Sequence, residues 1–364
     1  MIKKILIIGV SDYLNPIINI LKKKKILFYL VGLNNKKSEF NKKIIKINYL
    51  DKEKVLKIAK KIGITHIIPD CNDISYLTAS YVANKLKIQG YEQLRISKLL
   101  LNKRLFYFFC LKNKIKIPKF YYCKKEQLLK KNIKFPILIK PEESYSGIGI
   151  IKIAKKKILK KINYKNKLLF SEFIKGELYS HSCFVNKNKI INSYFVKEYC
   201  LNYPYTVDFS KTERRGNNKS QEKVIKVVSK LIKLLKIQSG LVHTQYIVNK
   251  NNIYLIEVTR RLPGDFYNEL IKLSYGNNNY LNNYINNFAE LKFSTKKDKF
   301  HKSLRKNYFI NEKIKLKKIL RNYKIFNEKK IKLKNNILIN FDINNKKNMY
   351  WLQNINNIFI QYNL

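Results

Sequence analysis

The sequence is poor in cysteine and histidine, and it lacks several motifs that would define a site directly. Its five cysteines are odd in number and scattered, with no C-x-x-C pair, so they predict reduced thiols rather than a disulfide framework or a zinc site. The four histidines lie far apart and form no H-E-x-x-H. No G-x-x-x-x-G-K-[ST] occurs, which excludes a P-loop nucleotide site.

Long hydrophobic runs are also missing. The N-terminal segment "MIKKILIIGVSDY" places lysines before an apolar run, as a signal peptide does, but the run is only about six residues long and Asp12 interrupts it. This pattern favours a buried first strand. No stretch reaches the length of a membrane span, so we expect a soluble, cytoplasmic protein.

Acidic residues are scarce, and this gives the chain a formal charge of +52, from 76 Lys+Arg against 24 Asp+Glu. A basic nucleic-acid-binding protein is one interpretation, but such proteins gather their charge into a patch. Here lysines run along the whole chain together with many Asn, Ile, Tyr and Phe residues. That pattern is typical of an AT-rich coding bias, which we favour; a positive field still attracts anionic substrates.

Strands alternate with helices over roughly the first 90 residues. "KKILIIGV", "ILFYLVGL" and "THIIPD" have strand patterns, and "NPIINILKKKK" and "DKEKVLKIAKKIGI" have helical ones. This alternation predicts an α/β fold with a parallel sheet. Further on, we expect one long helix from Leu94 to Asn113 and an amphipathic helix in "QEKVIKVVSKLIKLLKIQSG", with Gly240 just after its end.

Three segments carry residues that suit chemistry. The first is a predicted antiparallel hairpin, "LVHTQYIV" and "IYLIEV" around the turn "NKNN", in which Gln245 and Glu257 become neighbours on one face. Two such oxygen-bearing side chains suit Mg²⁺, and Arg261 adds a planar fork for a phosphate or carboxylate. The alternative is a surface ion pair between Glu257 and an arginine. His243 lies on the same strand face, as either a substrate contact or a packed structural residue.

The second and third segments suit a nucleotide. In "FPILIKPEESYSGIGI", Lys140 ends an apolar strand before a small-residue loop with Gly147 and Gly149, which predicts either a phosphate cradle or a flexible turn. In "FSEFIKGEL", the backbone from Glu172 to Ile174 suits an adenine edge and Glu177 suits a ribose. The alternative is two exposed acids on an amphipathic strand.

Together, in this order, the segments resemble the ATP-grasp superfamily, in the branch that contains carbamoyl-phosphate synthetase, biotin carboxylase and the carboxylate–amine ligases. The resemblance covers roughly residues 1–290. It implies a Rossmann-like domain at 1–92 and an α+β ATP-grasp domain at 93–289 whose flap spans about 118–172. A small β-rich region at 290–364 would follow, in which we identify no chemistry.

The resemblance also implies roles for individual residues. ATP phosphates would be held by Lys103 and Lys140 under the flap loop Ser144–Gly149, with Ser146, Gly147 and Gly149 in contact, and adenine and ribose by Glu172, Phe173, Ile174 and Glu177. Gln245 and Glu257 would hold Mg²⁺ or Mn²⁺, and Arg261 and Lys140 would be catalytic. Two positions depart from the family pattern: Gln245 replaces the usual Glu, and Thr259 replaces the Asn of Asn-Pro-Arg.

The implied activity is an ATP-dependent ligase that activates a small carboxylate as an acyl phosphate and joins it to an amine. Arg260, Arg261 and the loop from Leu201 to Arg215 are expected to recognise the carboxylate, with amino acids as the leading substrates. A homodimer is compatible with the sequence. Two alternatives remain open: a nucleotide-binding protein without ligase activity and a basic nucleic-acid-binding protein.

Overall fold

A computed structural model describes ten ranges and four C-terminal strands. The ranges are 3–33, 43–142, 147, 149–161, 166–201, 204–216, 218–265, 267–276, 279–294 and 300–307; the strands lie between residues 331 and 362. Among these residues, no helix combines the length and the hydrophobicity that a membrane span requires.

The N-terminal elements alternate strands with helices. In chain order they are β1 (Lys4–Ile8), α1 (Asn15–Lys23), β2 (Leu27–Val31), β3 (Ile44–Ile45), α2 (Lys52–Ile62), β4 (His66–Pro69) and α3 (Asp73–Leu86). The strands form a parallel sheet in the order β3-β2-β1-β4. Residues Ile5 to Ile8 of β1 are fully buried, as a continuous apolar run predicts. The predicted parallel α/β sheet is confirmed.

Two helices, α4 (Leu94–Leu101) and α5 (Lys103–Lys112), replace the single long helix that we expected here. Asn102 separates them because it has an extended backbone and its side chain accepts a hydrogen bond from the Leu105 N–H at 3.0 Å. Asparagine is a preferred residue at a helix N-terminus for this reason. The expectation of one helix was therefore wrong, and the break makes Lys103 the first residue of α5.

A small antiparallel sheet follows. Its elements are β5 (Phe120–Cys123), α6 (Lys125–Leu129), β6 (Ile137–Lys140), β7 (Ile151–Ile153), α7 (Lys156–Lys161) and β8 (Leu168–Glu172). The strand order is β5-β8-β6-β7. All four residues of β6 are buried, so Lys140 is carried to the end of a strand inside the protein.

A ten-stranded sheet forms the rest of the described chain. Its elements are β9 (Glu177–Asn186), β10 (Lys189–Tyr199), β11 (Phe209–Glu213), α8 (Lys219–Leu234), β12 (Ser239–Asn249), β13 (Asn252–Thr259), α9 (Tyr267–Tyr275), α10 (Asn279–Phe288), β14 (Ser303–Asn307), β15 (Ile331–Leu333), β16 (Asn336–Asp342), β17 (Lys347–Gln353) and β18 (Asn357–Tyr362). The order is β13-β12-β9-β10-β11-β14-β18-β17-β16-β15. The C-terminal strands thus extend the same sheet as the predicted hairpin.

The predicted amphipathic helix is confirmed as α8, but it ends earlier than expected. Lys236 adopts a left-handed backbone conformation, and the Ile237 N–H returns to the carbonyl of Ile232 at 3.0 Å, so the chain turns directly after Leu234. Gly240 lies inside β12, and its placement at the end of the helix was wrong.

The two faces of the large sheet pack against different partners. On β9, Cys183 and Val185 join the core that contains α8, whereas Phe184 joins the core that contains α9, α10 and the N-terminal sheet. Alternation along a strand therefore places Ser180 and Ser182 on the same face as Phe184. This face carries the polar residues of the candidate site.

His181 is buried on the opposite face of β9, where it affects stability. Its ring stacks on Phe195 and its Nε2 lies 3.1 Å from Ser193 Oγ. Burial lowers the pKa of His181 from 6.5 to about 3. Between these values the unfolded chain binds a proton that the folded chain does not, so the free energy of unfolding falls as the pH decreases. We expect a loss of about 1.4 kcal/mol per pH unit from this residue.

The variant His181→Phe keeps an aromatic ring against Phe195 but cannot titrate. Urea unfolding measured from pH 7.5 to 5 should show that its stability falls less steeply below about pH 6.5 than that of the wild type. Equal slopes in the two proteins would contradict the prediction.

Candidate active site

A cavity of about 660 Å³ lies between the polar face of the large sheet, the small sheet and the start of α3. Ten of the predicted site residues line it: Lys103, Lys140, Gly147, Glu172, Phe173, Ile174, Glu177, Gln245, Glu257 and Arg261. Gly149 is not part of the lining, and Ser146 lies outside the described residues. Segments that are far apart in sequence are thus brought to one cavity, and their individual roles remain predictions.

Two lysines enter the cavity from different elements. Lys140 is 4% exposed and its Nζ donates to the Tyr107 hydroxyl at 3.0 Å. Lys103 is 9% exposed at the start of α5. Burial lowers the pKa of Lys103, and the carboxylates of Glu257 and Asp73 oppose this shift. Two ammonium groups held in a partly desolvated cavity favour an anionic ligand.

The glycine loop approaches another segment closely. Gly147 has φ +73°, and a Cβ added there would lie 2.3 Å from the carbonyl oxygen of Tyr205. Only glycine fits this position, because both the conformation and the space exclude a side chain. The loop after β6 therefore meets the segment around Tyr205, which lines the cavity with Leu201, Thr206 and Val207. These four residues belong to the loop expected to recognise the substrate.

The segment between β8 and β9 forms one wall. The Phe173 N–H already donates to the Pro136 carbonyl at 3.3 Å, which ties this backbone to the small sheet. Glu177 accepts hydrogen bonds from Lys197 and from the Tyr179 hydroxyl. The bond from Lys197 is the main reason that the pKa of Glu177 is lowered. An ionised carboxylate is thus fixed on the cavity wall, where it can accept from ligand hydroxyls.

The predicted hairpin is confirmed, and Gln245 lies directly opposite Glu257. The register shifts between Gln245 and Tyr246, so β13 contains one extra residue at this point. Such a bulge changes the direction of the side chains around it. Here it places Glu257, rather than Ile256, opposite Gln245. Both oxygen-bearing side chains line the cavity.

The chemistry of this pair fits Mg²⁺. Mg²⁺ takes one or two protein oxygens and fills its other positions with water and substrate phosphates. Within the described ranges, no cluster of three or more His, Cys, Asp or Glu side chains is arranged to hold a metal by itself. Glu257 and Gln245 therefore suit a cation that arrives together with a phosphate ligand.

The two arginines after β13 have different environments. Arg261 lines the cavity, but its Nε also pairs with Asp73 at 2.6 Å. Arg260 is buried outside the lining: it donates to the carbonyls of Leu241 and Ser239 and pairs with Glu92 at 3.3 Å. Arg260 was expected to recognise substrate. This expectation is wrong because its guanidinium group already hydrogen-bonds to two backbone carbonyls and pairs with Glu92. Arg261 remains a candidate for anion binding, held in place by Asp73.

Glu198 is a cavity residue that the sequence interpretation missed. It is 4% exposed on β10, and the Gln245 Nε2 donates to its Oε2 at 2.6 Å. Desolvation raises the pKa of Glu198 to about 7, although hydrogen bonds from Ser180 and Gln245 and the charge of Arg305 lower it. The sequence offered one signal for Glu198. In "YFVKEYC" it alternates with apolar residues, which places an acid on the buried face of a strand, where it needs a partner.

Arg305 was missed as well, in the region where we identified no chemistry. It lies on β14, is 3% exposed and lines the cavity. Its Nη1 donates to the Asp265 carbonyl at 2.9 Å and its Nη2 to Ser210 Oγ at 2.8 Å. Its Nε has no hydrogen-bond partner among the described residues. A buried guanidinium with an unpaired N–H beside a cavity is suited to an anionic ligand.

Comparison with known proteins identifies the family of one domain and the fold of the chain. Residues 101–265 match the family model of the ATP-grasp domain, which confirms the predicted resemblance. No curated protein sequence matches the chain at a significant level.

Solved structures share the fold over nearly the whole chain. The L-amino acid ligase from Bacillus licheniformis matches with a TM-score of 0.75 and 14% identity, over 99% of this chain and 93% of that one. Phosphoribosylglycinamide synthetase from Anaerococcus prevotii matches with 0.74 and 16%, over 100% and 95%. The biotin carboxylase domain of Hydrogenobacter thermophilus 2-oxoglutarate carboxylase, in complex with MgADP, ADP and bicarbonate, matches with 0.67 and 14%, over 84% and 74%. At these identities the similarity concerns the fold.

Proposed function

We propose that this protein is an ATP-dependent ligase that activates a small carboxylate as an acyl phosphate and joins it to an amine, since residues 101–265 match the family model of the ATP-grasp domain. The observation that carries this proposal is the shared cavity. It holds two lysines, an acid–amide pair and two arginines, which are the groups that phosphoryl transfer to a carboxylate requires. The fold neighbours named as ligases and synthetases support the same reaction class.

ATP would lie along the wall formed by the segment between β8 and β9. The backbone at Ile174 would face the adenine edge, and the Glu177 carboxylate would accept from the ribose hydroxyls. Lys103 and Lys140 would neutralise the phosphate oxygens, with the loop at Gly147 covering them. Glu257 and Gln245 would hold Mg²⁺, which when bound supplies charge neutralisation at the phosphates. The MgADP complex of the biotin carboxylase domain supports a magnesium-bound adenine nucleotide as the ligand.

The reaction needs no protein nucleophile. A carboxylate oxygen of the substrate attacks the γ-phosphorus, the bond to the β-phosphate oxygen breaks, and ADP leaves. The amine then attacks the acyl carbon, and phosphate leaves with its bonding electrons while the nitrogen loses a proton. Side chains contribute position and charge, and exclusion of water from the cavity would protect the acyl phosphate from hydrolysis.

Amino acids are the substrates that we favour. Arg261 and Arg305 line the same cavity and bring two guanidinium groups to it, one for the reacting carboxylate and one for a further anionic group. The L-amino acid ligase among the fold neighbours supports this substrate class.

The proposal is tested by incubating the protein with ATP, Mg²⁺ and pools of carboxylates, with hydroxylamine present to trap the acyl phosphate as a hydroxamate. We expect hydroxamate and ADP in equal amounts with at least one pool, and neither product when the carboxylate is omitted. If calorimetry detects ATP binding but no pool yields ADP or hydroxamate, the protein binds nucleotide without ligase activity and the proposal is wrong.

A further inference from the structure

The amide at Gln245 poses a problem that a carboxylate would not. Either oxygen of a glutamate can bind a cation, so its rotation does not matter. A glutamine has one such atom, Oε1, and its other terminal atom is an NH₂ group that a cation repels. Exchanging the two atoms by rotation of the amide would destroy the site. Something must therefore fix the amide in the productive orientation.

Glu198 supplies that constraint from the side of Gln245 that is opposite Glu257. The strand order β13-β12-β9-β10 places Glu257 on one flank of Gln245 and Glu198 on the other, across β9. The Gln245 Nε2 donates to Glu198 Oε2 at 2.6 Å. The opposite rotation would break this hydrogen bond and leave the Nε2 group without that acceptor, which is unfavourable. With Nε2 hydrogen-bonded to Glu198, Oε1 is the amide atom left for a ligand in the cavity that Gln245 lines.

Ser180 and the surrounding burial hold Glu198 in this position. Ser180 pairs with Gln245 on β12 and with Val196, two residues before Glu198, on β10, and its side chain hydrogen-bonds to Glu198. Glu198 is 4% exposed, so water does not compete strongly for its oxygens. The contact is therefore a buried, directional one rather than a surface pairing.

We propose that Glu198 is the positioning residue of the cation site, aiming Gln245 Oε1 at the cation through the hydrogen bond that it accepts from Nε2. This inference rests on the proposed function, since it requires Glu257 and Gln245 to bind Mg²⁺. Residues behind a metal ligand typically change metal affinity about 10- to 100-fold.

Direct Mn²⁺ binding, measured from the loss of the free-ion EPR signal in the presence of a non-hydrolysable ATP analogue, tests the inference without relying on turnover. Glu198→Gln should weaken Mn²⁺ binding about tenfold or more in the protein that keeps the native Gln245. The reciprocal exchange, Glu198→Gln combined with Gln245→Glu, restores one acid and one amide with the hydrogen bond reversed. It should recover most of the Mn²⁺ affinity that the single variant loses.

The exchange variant also controls for folding, because it keeps the same groups in the same volume, and its melting temperature should match that of the wild type. Unchanged Mn²⁺ affinity in Glu198→Gln, or an equal loss in the single variant and the exchange variant, would overturn the inference. A wild-type protein that binds the ATP analogue but no Mn²⁺ would instead overturn the proposed metal site. The two failures are thus distinguishable.

Discussion

Replacing Glu257 by Gln should lower ATP turnover roughly a hundredfold or more while the protein stays folded. Glu257 and Gln245 lie opposite each other on β13 and β12, and Glu257 is the one carboxylate of that pair. The substitution leaves two neutral amides where a cation must be held against phosphate oxygens. Glutamine has almost the same volume, and none of the ion pairs formed by the described residues includes Glu257, so little stability should be lost.

The measurement compares ADP release and melting temperature in Glu257→Gln and in Glu222→Gln. Glu222 is an exposed residue on α8, outside the cavity, so its variant loses the same charge without touching the site. Raised Mg²⁺ or Mn²⁺ should partly rescue Glu257→Gln. Wild-type turnover in that variant would reject the metal assignment, and a large fall in its melting temperature would show that the residue is structural.

The hairpin could be predicted because all its determinants are local. A polar turn separates two apolar strands, and antiparallel pairing then places Gln245 near Glu257. The bulge beside Gln245 could not be predicted, yet it sets the final register. The different environments of the two arginines follow from the alternation of side chains along a strand. Arg261 falls on the same face as Glu257 and Thr259, which line the cavity, and Arg260 falls on the other face.

Glu198 and Arg305 were missed because their positions depend on strand order. β10 is separated from β12 by β9, and β14 joins the sheet beside β11 after a long stretch of chain. Neither adjacency is encoded near the residue concerned. The composition did contain a signal for Arg305. Only eight of the 76 basic residues are arginines, so an arginine in this lysine-rich chain indicates a position that needs the guanidinium group.

Replacing Lys140 by Met should have opposite effects on ligand binding and on stability. The Lys140 ammonium is buried beside the cavity and donates to the Tyr107 hydroxyl at 3.0 Å. Without a phosphate it is a desolvated charge, which costs stability, and methionine fills a similar volume without that cost. We therefore expect a melting temperature at or above that of the wild type, together with ATP affinity that is about 10- to 100-fold weaker, the usual worth of a charge-assisted contact.

Calorimetric titration with ATP and thermal unfolding of the same preparation test both effects. Lys134→Met removes a lysine that is exposed just before β6, and it should change neither quantity. Tyr107→Phe removes only the hydroxyl that accepts from Lys140, so it separates the role of that hydrogen bond from the role of the charge. ATP binding that survives Lys140→Met unchanged would remove Lys140 from the nucleotide site. A fall in both stability and affinity would mean that the hydrogen bond from Lys140 to the buried Tyr107 hydroxyl supports the fold.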